Sequence, residues 1–312
     1  MVDSSIQFPA QLKGQINGVK PLSHLGILQI KGDDAKSFLQ GQITCNLDEI
    51  TLEQSRLAGH CNLKGRLQSF FRIVKVNEGE YYLTMPLDMV PIALQNFKKF
   101  AMFSKVTLKN ITSELFYVGT ISSENTMPVD GCETHFIDEN FYTICRVPSI
   151  PGKAARYEIF GNMDVKWDHN LDLDIDRDWD WELEDIKAGI PAIYPNTVDL
   201  FLAHHLNLSE FNSISYNKGC YLGQEIIARM HYKGNIKKHM YHGIIEEGNT
   251  EVPTPGTPVF AKSMSDNDAP GNVVRATQSD CLLVIDDQYI DDHLTLDSKE
   301  GIPVNVQAKS KI

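Results

Sequence analysis

Cys220 is the residue in this chain best placed to do chemistry. It stands within Lys218-Gly219-Cys220-Tyr221-Leu222-Gly223-Gln224-Glu225, between a lysine and a stretch, Gln224 to Met230, that reads as a helix with an acid early and a base late. Gly219 and Gly223 allow backbone conformations barred to other residues. Unpaired N–H groups at a helix start, together with the Lys218 cation, would favour the thiolate, the form of cysteine that attacks, exchanges and ligates. The same residues also suit a tight turn around a small, buried cysteine.

Other constellations are weaker. The chain has no Gly-x4-Gly-Lys-Ser/Thr loop, Gly-x-Gly-x-x-Gly turn, His-Glu-x-x-His pair or Gly-x-Ser-x-Gly elbow. His204-His205 and the pair His239, His242 lack the further ligands that a metal needs. The aspartates of 172–185 resemble a calcium loop, but Arg177 replaces its central glycine and the terminal glutamate is missing, so a solvated edge is expected. Lys233, Lys237, Lys238 and His239 form a small basic cluster, read as a solvated face.

The net charge of −12 argues against broad nucleic-acid binding; any RNA-related role is expected to be indirect or confined to that cluster, and no direct nucleic-acid partner is expected. No apolar run is long enough to cross a bilayer, and Met1 to Ser5 does not begin a secretory signal. Six widely spaced cysteines, never in Cys-x-x-Cys, suit reduced thiols and a cytoplasmic protein.

The elements that must position the cysteine can be read coarsely. Leu25 to Lys31 alternates like a strand, and Asp33 caps a short helix, Asp34 to Gln40, stopped by Gly41. Leu57 to Cys61 and Leu67 to Val76 read as hairpin strands around Asn62-Leu63-Lys64-Gly65. Tyr81 to Met85 continues the sheet, Leu87 to Met102 has amphipathic helical spacing, and Val106 to Leu108 closes a split-βαβ series. Residues 115–118, 141–144 and 157–160 read as strands of a second unit. Trp181 to Ala188 is a helix ended by Gly189. Beyond Lys237, short β runs between Pro- and Gly-rich turns predict a small antiparallel barrel.

The Cys220 segment, continuing through Ala228-Arg229 and Lys233-Gly234, resembles the signature of the YgfZ family, folate-binding proteins related to the glycine-cleavage T-protein. Phe38 to Thr44, Gly59 to Arg66, Phe103 to Val106 and Ala188 to Pro191 resemble further family segments. The resemblance runs from about residue 22 to the end. It implies an α+β fold, a three-domain T-protein-like ring of two split-βαβ-type domains and a C-terminal antiparallel β-barrel. The expected boundaries are 1–112 for the first domain, 113–168 for an inserted second, 169–236 for the return segment with the cysteine, and 237–312 for the barrel. A central gap would hold tetrahydrofolate or another reduced folate, contacted by Trp181, Tyr221, Gln224, Glu225 and Arg229. Trp181 is equally readable as an anchor of its helix. Glu225 and Arg229 are equally readable as an ordinary i,i+4 surface pair.

Three positions depart from the relatives' pattern. The transferases carry an aspartate after the hairpin glycine, whereas this chain has Arg66-Leu67-Gln68-Ser69, and no amide or hydroxyl replaces an ionised acid there. Lys187 stands where a glutamate is usual, and Leu25 where some relatives have tryptophan. The resemblance therefore implies an accessory protein that supports maturation or repair of iron–sulfur enzymes, and so tRNA modification, with Cys220 as its essential thiol. Its partners would be folate and iron–sulfur enzymes or assembly proteins, without a membrane. The alternatives are a tetrahydrofolate-dependent aminomethyltransferase or demethylase, using Cys220 or Glu225, and a scaffold that binds no folate.

Overall fold

A computed structural model describes residues 19–122, 131–137, 140–150, 152–163, 179–246, 251–264 and 269–307. These residues fall into two compact units. One draws on Met1–Leu39, Leu47–Arg56 and Arg72–Trp181, the other on Gln40–Asn46, Leu57–Phe71 and Glu182–Ile312. In chain order the elements begin with β1 (Val19–Pro21), β2 (Leu25–Lys31), α1 (Ala35–Gln40), β3 (Arg56–Cys61), β4 (Leu67–Asn77), β5 (Glu80–Pro86), α2 (Met89–Lys98) and β6 (Thr107–Asn110). Then follow β7 (Leu115–Ser122), β8 (Cys132–Ile137), β9 (Asn140–Val147), β10 (Ala155–Asn162), α3 (Trp181–Lys187) and α4 (Gln224–Lys233).

The first unit contains an antiparallel five-stranded sheet of order β1-β7-β10-β9-β8. A second sheet runs β3-β4-β5-β2-β6, and β4 changes unit between Phe71 and Arg72. Ile27, Val74, Tyr82, Ile111, Leu115 and Phe160 share a buried cluster of the first unit, where apolar area removed from water is the main stabilising term. Arg72 is buried 3.3 Å from the Glu158 carboxylate, and Tyr117 Oη donates to the same group at 2.7 Å. This satisfies charges that would otherwise be costly to desolvate. The helix expected over Leu87 to Met102 is shorter, because the chain tightens into a 3-10 turn at Ala101–Phe103.

Not all six cysteines are reduced thiols, as the sequence led us to expect. Cys132 and Cys145 are disulfide-bonded, because the antiparallel register of β8 and β9 sets them directly opposite each other. A separation of 13 residues does not reveal that register.

The second unit ends in a closed barrel. Its strands are β11 (Lys238–Ile245), β12 (Pro258–Ala261), β13 (Gly271–Ala276), β14 (Asp280–Asp286), β15 (Leu294–Leu296) and β16 (Ile302–Val306), in the order β11-β14-β13-β12-β15-β16. Val259, Val273, Leu283, Ile285, Leu296 and Val304 fill it, so this barrel is a packed core. Arg275 on β13 donates to the Asp185 carboxylate at 3.1 Å, to Ile190 O at 3.2 Å and to Glu182 at 3.4 Å. It thereby ties α3 and the Ala188 to Pro191 segment to the barrel. Residues 172–178 of the acidic stretch lie outside the described residues. Among the described residues no group of three or more His, Cys, Asp and Glu is arranged to hold a metal ion. No described helix is long and apolar enough to cross a membrane.

Candidate functional site: the Cys220 loop

Three segments far apart in sequence converge on the cysteine loop, all within the second unit. Thr44 is their junction. Its hydroxyl donates to Ser213 O at 2.6 Å and accepts from Gly59 N at 2.8 Å. Its backbone N–H donates to Gly59 O at 2.9 Å, and its carbonyl accepts from Ser215 N at 2.8 Å. Leu222 N then donates to Gly41 O at 3.1 Å. The chain thus enters and leaves the loop along residues 40–46.

Lys218 locks the loop. Its Nζ donates to Gln40 O at 2.8 Å, Ile43 O at 2.6 Å and Cys45 O at 2.7 Å. An ammonium has three N–H donors, and three carbonyls receive them. Burial lowers the Lys218 pKa to about 8, so the group remains a cation at neutral pH. The sequence placed this charge in service of the thiol; in the structure it is bonded to backbone.

The glycines have separate reasons. Gly223 has φ +81°, and a Cβ there would lie 2.7 Å from Asn62 O and 3.0 Å from Cys61 Cβ. It is also the N-cap of α4. Gly65 has φ +70° in the hairpin turn, and a Cβ there would stand 3.0 Å from Ile226 Cβ. The hairpin and the start of α4 therefore approach to a distance only glycine permits. Asn62 holds the turn from within, its Oδ1 accepting from Lys64 N at 2.8 Å and Arg66 N at 3.1 Å.

On this framework Cys220 is exposed, whereas the free thiols of Cys45, Cys61 and Cys281 are buried. Burial pushes Cys61 and Cys281 up to about 12, which keeps them protonated and inert. Cys220 lies three residues before the N-cap of α4 rather than on the helix end. Among the described residues no side chain hydrogen-bonds to its sulfur.

The remaining expected site residues separate into two groups. Tyr221 is buried with its ring 4.6 Å below Lys218 Nζ, and its hydroxyl has no hydrogen-bond partner among the described residues. Gln224 opens α4 and is half-buried. Glu225 and Arg229 pair with each other at 2.7 Å while 81% and 63% exposed.

Trp181 belongs to the first unit. It is buried with Leu22 and Val147, the Arg156 guanidinium lies 4.7 Å from its ring centroid, and its Nε1 has no partner among the described residues. Gly119 is needed beneath it, since a Cβ there would lie 2.7 Å from the indole. Leu25 packs partly buried against the same cluster, and Lys187 is exposed at the end of α3.

Sequence reasoning missed Thr44 as the junction and Asp199. The latter, at φ +61°, accepts from Asn62 Nδ2 at 2.8 Å and so brings a carboxylate to the hairpin turn. Thr44 lay inside a recognised segment; Asp199 carried no signal.

The fold is similar to that of a known enzyme. The chain superposes on the crystal structure of the glycine cleavage system aminomethyltransferase T from Bartonella henselae with a TM-score of 0.67. That match covers 97% of this chain and 90% of the other at 12% identity, and shows a common fold. Sequence relatives narrow this further. The tRNA-modifying protein YgfZ of Photobacterium profundum is 31% identical over 266 residues, 82% of this chain and 78% of that protein. The protein of the same name from Colwellia psychrerythraea is 28% identical over 273 residues, 85% of this chain and 82% of its own length. No family model matches the chain. The chain belongs to the YgfZ family.

Proposed function

We propose that this protein is a cytoplasmic, folate-binding accessory factor that supports maturation or repair of iron–sulfur enzymes and thereby tRNA modification, with Cys220 as its essential thiol. One observation carries the reading: of the free cysteines only Cys220 is exposed, on a loop fixed by the Lys218 clamp. The relatives' name, tRNA-modifying protein, supports the process. A displayed, rigidly held thiol suits transient ligation of a cluster metal, or exchange with a partner's disulfide in which the attacked sulfur's former partner leaves as thiolate. One thiolate does not hold a cluster alone, so the other ligands come from the client or assembly protein.

A reduced folate, when bound, supplies a carrier of one-carbon units at its ring nitrogens. The residues present fit such a ligand. Tyr221 Oη is a buried polar atom without a partner among the described residues, which the edge of a pterin would satisfy. Gln224 adds an amide with both donor and acceptor.

In a deletion strain, wild type is expected to restore iron–sulfur enzyme activity and the dependent tRNA modifications, and Cys220→Ala to fail. Equal restoration by both would remove the thiol from the mechanism. Calorimetry with reduced folates tests the ligand, and absence of heat over a broad concentration range would favour a folate-free scaffold. A second reading, a tetrahydrofolate-dependent transferase or demethylase, is favoured by the Asp199 carboxylate at the hairpin. Turnover of a methylated amine, lost in Asp199→Asn, would establish it.

A further inference from the structure

Near the C-terminal end of α4 lies a group of aromatic rings, joined by Tyr216 from the segment that leads into the cysteine loop. Tyr216 and His231 stack with centroids 3.8 Å apart and planes 19° from parallel. Tyr232 meets His231 edge-on at 4.8 Å and Tyr216 at 6.2 Å, and is itself 66% exposed. The stack is backed by buried His204, whose Nε2 lies 3.3 Å from Tyr216 Oη, and that oxygen is 3.0 Å from Ser209 Oγ. These rings are therefore held in place while facing water, the reverse of what burial alone would select.

Cations follow at once. Lys233 ends α4, and Lys237 precedes β11; both are exposed, and among the described residues neither pairs with a carboxylate. Lys238 is half-buried beside them. On a chain of net charge −12 these lysines form a small basic cluster, Lys233 directly following Tyr232, with Asp286 opposite Lys238 and the Asp287 carboxylate engaged by His239 and Tyr241.

We propose that this surface binds single-stranded RNA, with bases stacking on Tyr232 and the Tyr216–His231 pair and phosphates meeting Lys233 and Lys237. Every base offers a π-face, so ring stacking gives affinity with little sequence preference. Lysine meets phosphate as a point charge. A duplex hides its bases and would require a wider basic track than this. An acidic protein partner would use the lysines and leave the rings unengaged. The sequence offered this lysine cluster as the one patch to which an RNA role could be confined and read it as a solvated face, because Tyr216 joins it only through its stack on His231. This inference goes beyond the accessory role and uses neither folate nor the thiol.

The test is fluorescence anisotropy with the full chain, a labelled oligo(rA) of about twelve nucleotides and an abasic strand of equal length. Oligo(rA) is expected to bind about tenfold more tightly than the abasic strand. Tyr232→Ala should erase that difference. Lys233→Gln with Lys237→Gln should weaken both strands and reduce the log–log salt slope by about 1.4. Thermal melts of the variants establish that they fold. Equal binding of the two strands by wild type, an unchanged Tyr232→Ala variant, or preference for polyglutamate over both strands would overturn the proposal. These outcomes are independent of deletion-strain complementation and folate calorimetry, so either reading can fail alone.

Discussion

Lys218 Nζ sits 4.6 Å from the centroid of the Tyr221 ring while bonded to the carbonyls of Gln40, Ile43 and Cys45. The residues flanking Cys220 thus face inward and hold the loop, and the thiol between them faces out. Lys218→Met should destabilise the protein by about 3 kcal/mol, since three carbonyls lose a charged donor. Lys218→Arg should recover little, because a planar guanidinium does not reproduce three tetrahedrally directed donors. Denaturant midpoints measure both.

Thiol labelling should be selective. A maleimide added to native protein is expected to modify Cys220 and spare Cys45, Cys61 and Cys281, which are buried. Denaturation without reductant should expose four reactive thiols, and six after reduction of the Cys132–Cys145 bond. Intact mass after each step reads the count. Labelling of Cys61 in native protein would contradict the loop packing.

Gly223→Ala should cost about 2 kcal/mol or more, from the left-handed backbone and the approach to Asn62 O. The same change at Gly219, where a Cβ meets nothing within 4 Å, should cost far less. The contrast between their melting temperatures isolates the hairpin contact from glycine content.

Acid should weaken the second unit before carboxylates titrate. Burial, the largest cause, lowers His204 and His205 from 6.5 to about 4. The unfolded chain then binds more protons than the folded one between those values. Stability is full above about pH 6.5 and falls as the pH drops toward about 4. His205→Gln should flatten the melting temperature over that window, and a slope identical to wild type would exclude His205 as a contributor.

Removing Arg275 should be severe. The guanidinium is buried between Asp185, Glu182 and Ile190 O, and Arg275→Met breaks that network at a cost of about 3–5 kcal/mol. By contrast, Arg229→Ala should change stability by only a few tenths of a kcal/mol, because its pair with Glu225 is exposed. Any loss of folate affinity in Arg229→Ala would therefore report ligand contact rather than folding.

Local patterns carried much of the fold. The short β runs beyond Lys237 announced the barrel, Asn62 to Gly65 announced the hairpin, and Gly189, at φ +69°, ended α3 where expected. Strands β8 and β15 were not legible: Glu133 and Thr134 dilute the first, and the second spans three residues. Around Cys220 the sequence showed which residue types are neighbours along the chain and not the directions of their side chains. Sequence set a cation two residues from a thiol; only tertiary structure shows that cation bonded to carbonyls 173 to 178 residues away. The i,i+4 pair of Glu225 and Arg229, set by helical spacing alone, was readable without coordinates.

The Lys218 clamp also orders events during synthesis. Its carbonyl partners emerge from the ribosome long before the lysine does, across a separation of up to 178 residues. Contacts of such range form late, after the intervening chain has collapsed. The thiol is therefore presented in its fixed setting only after the chain has passed Lys218 and that segment has packed on residues 40–45. A misfolded copy carries the same cysteine without the geometry that displays it, so display of the thiol is a property of the folded state rather than of the sequence around it.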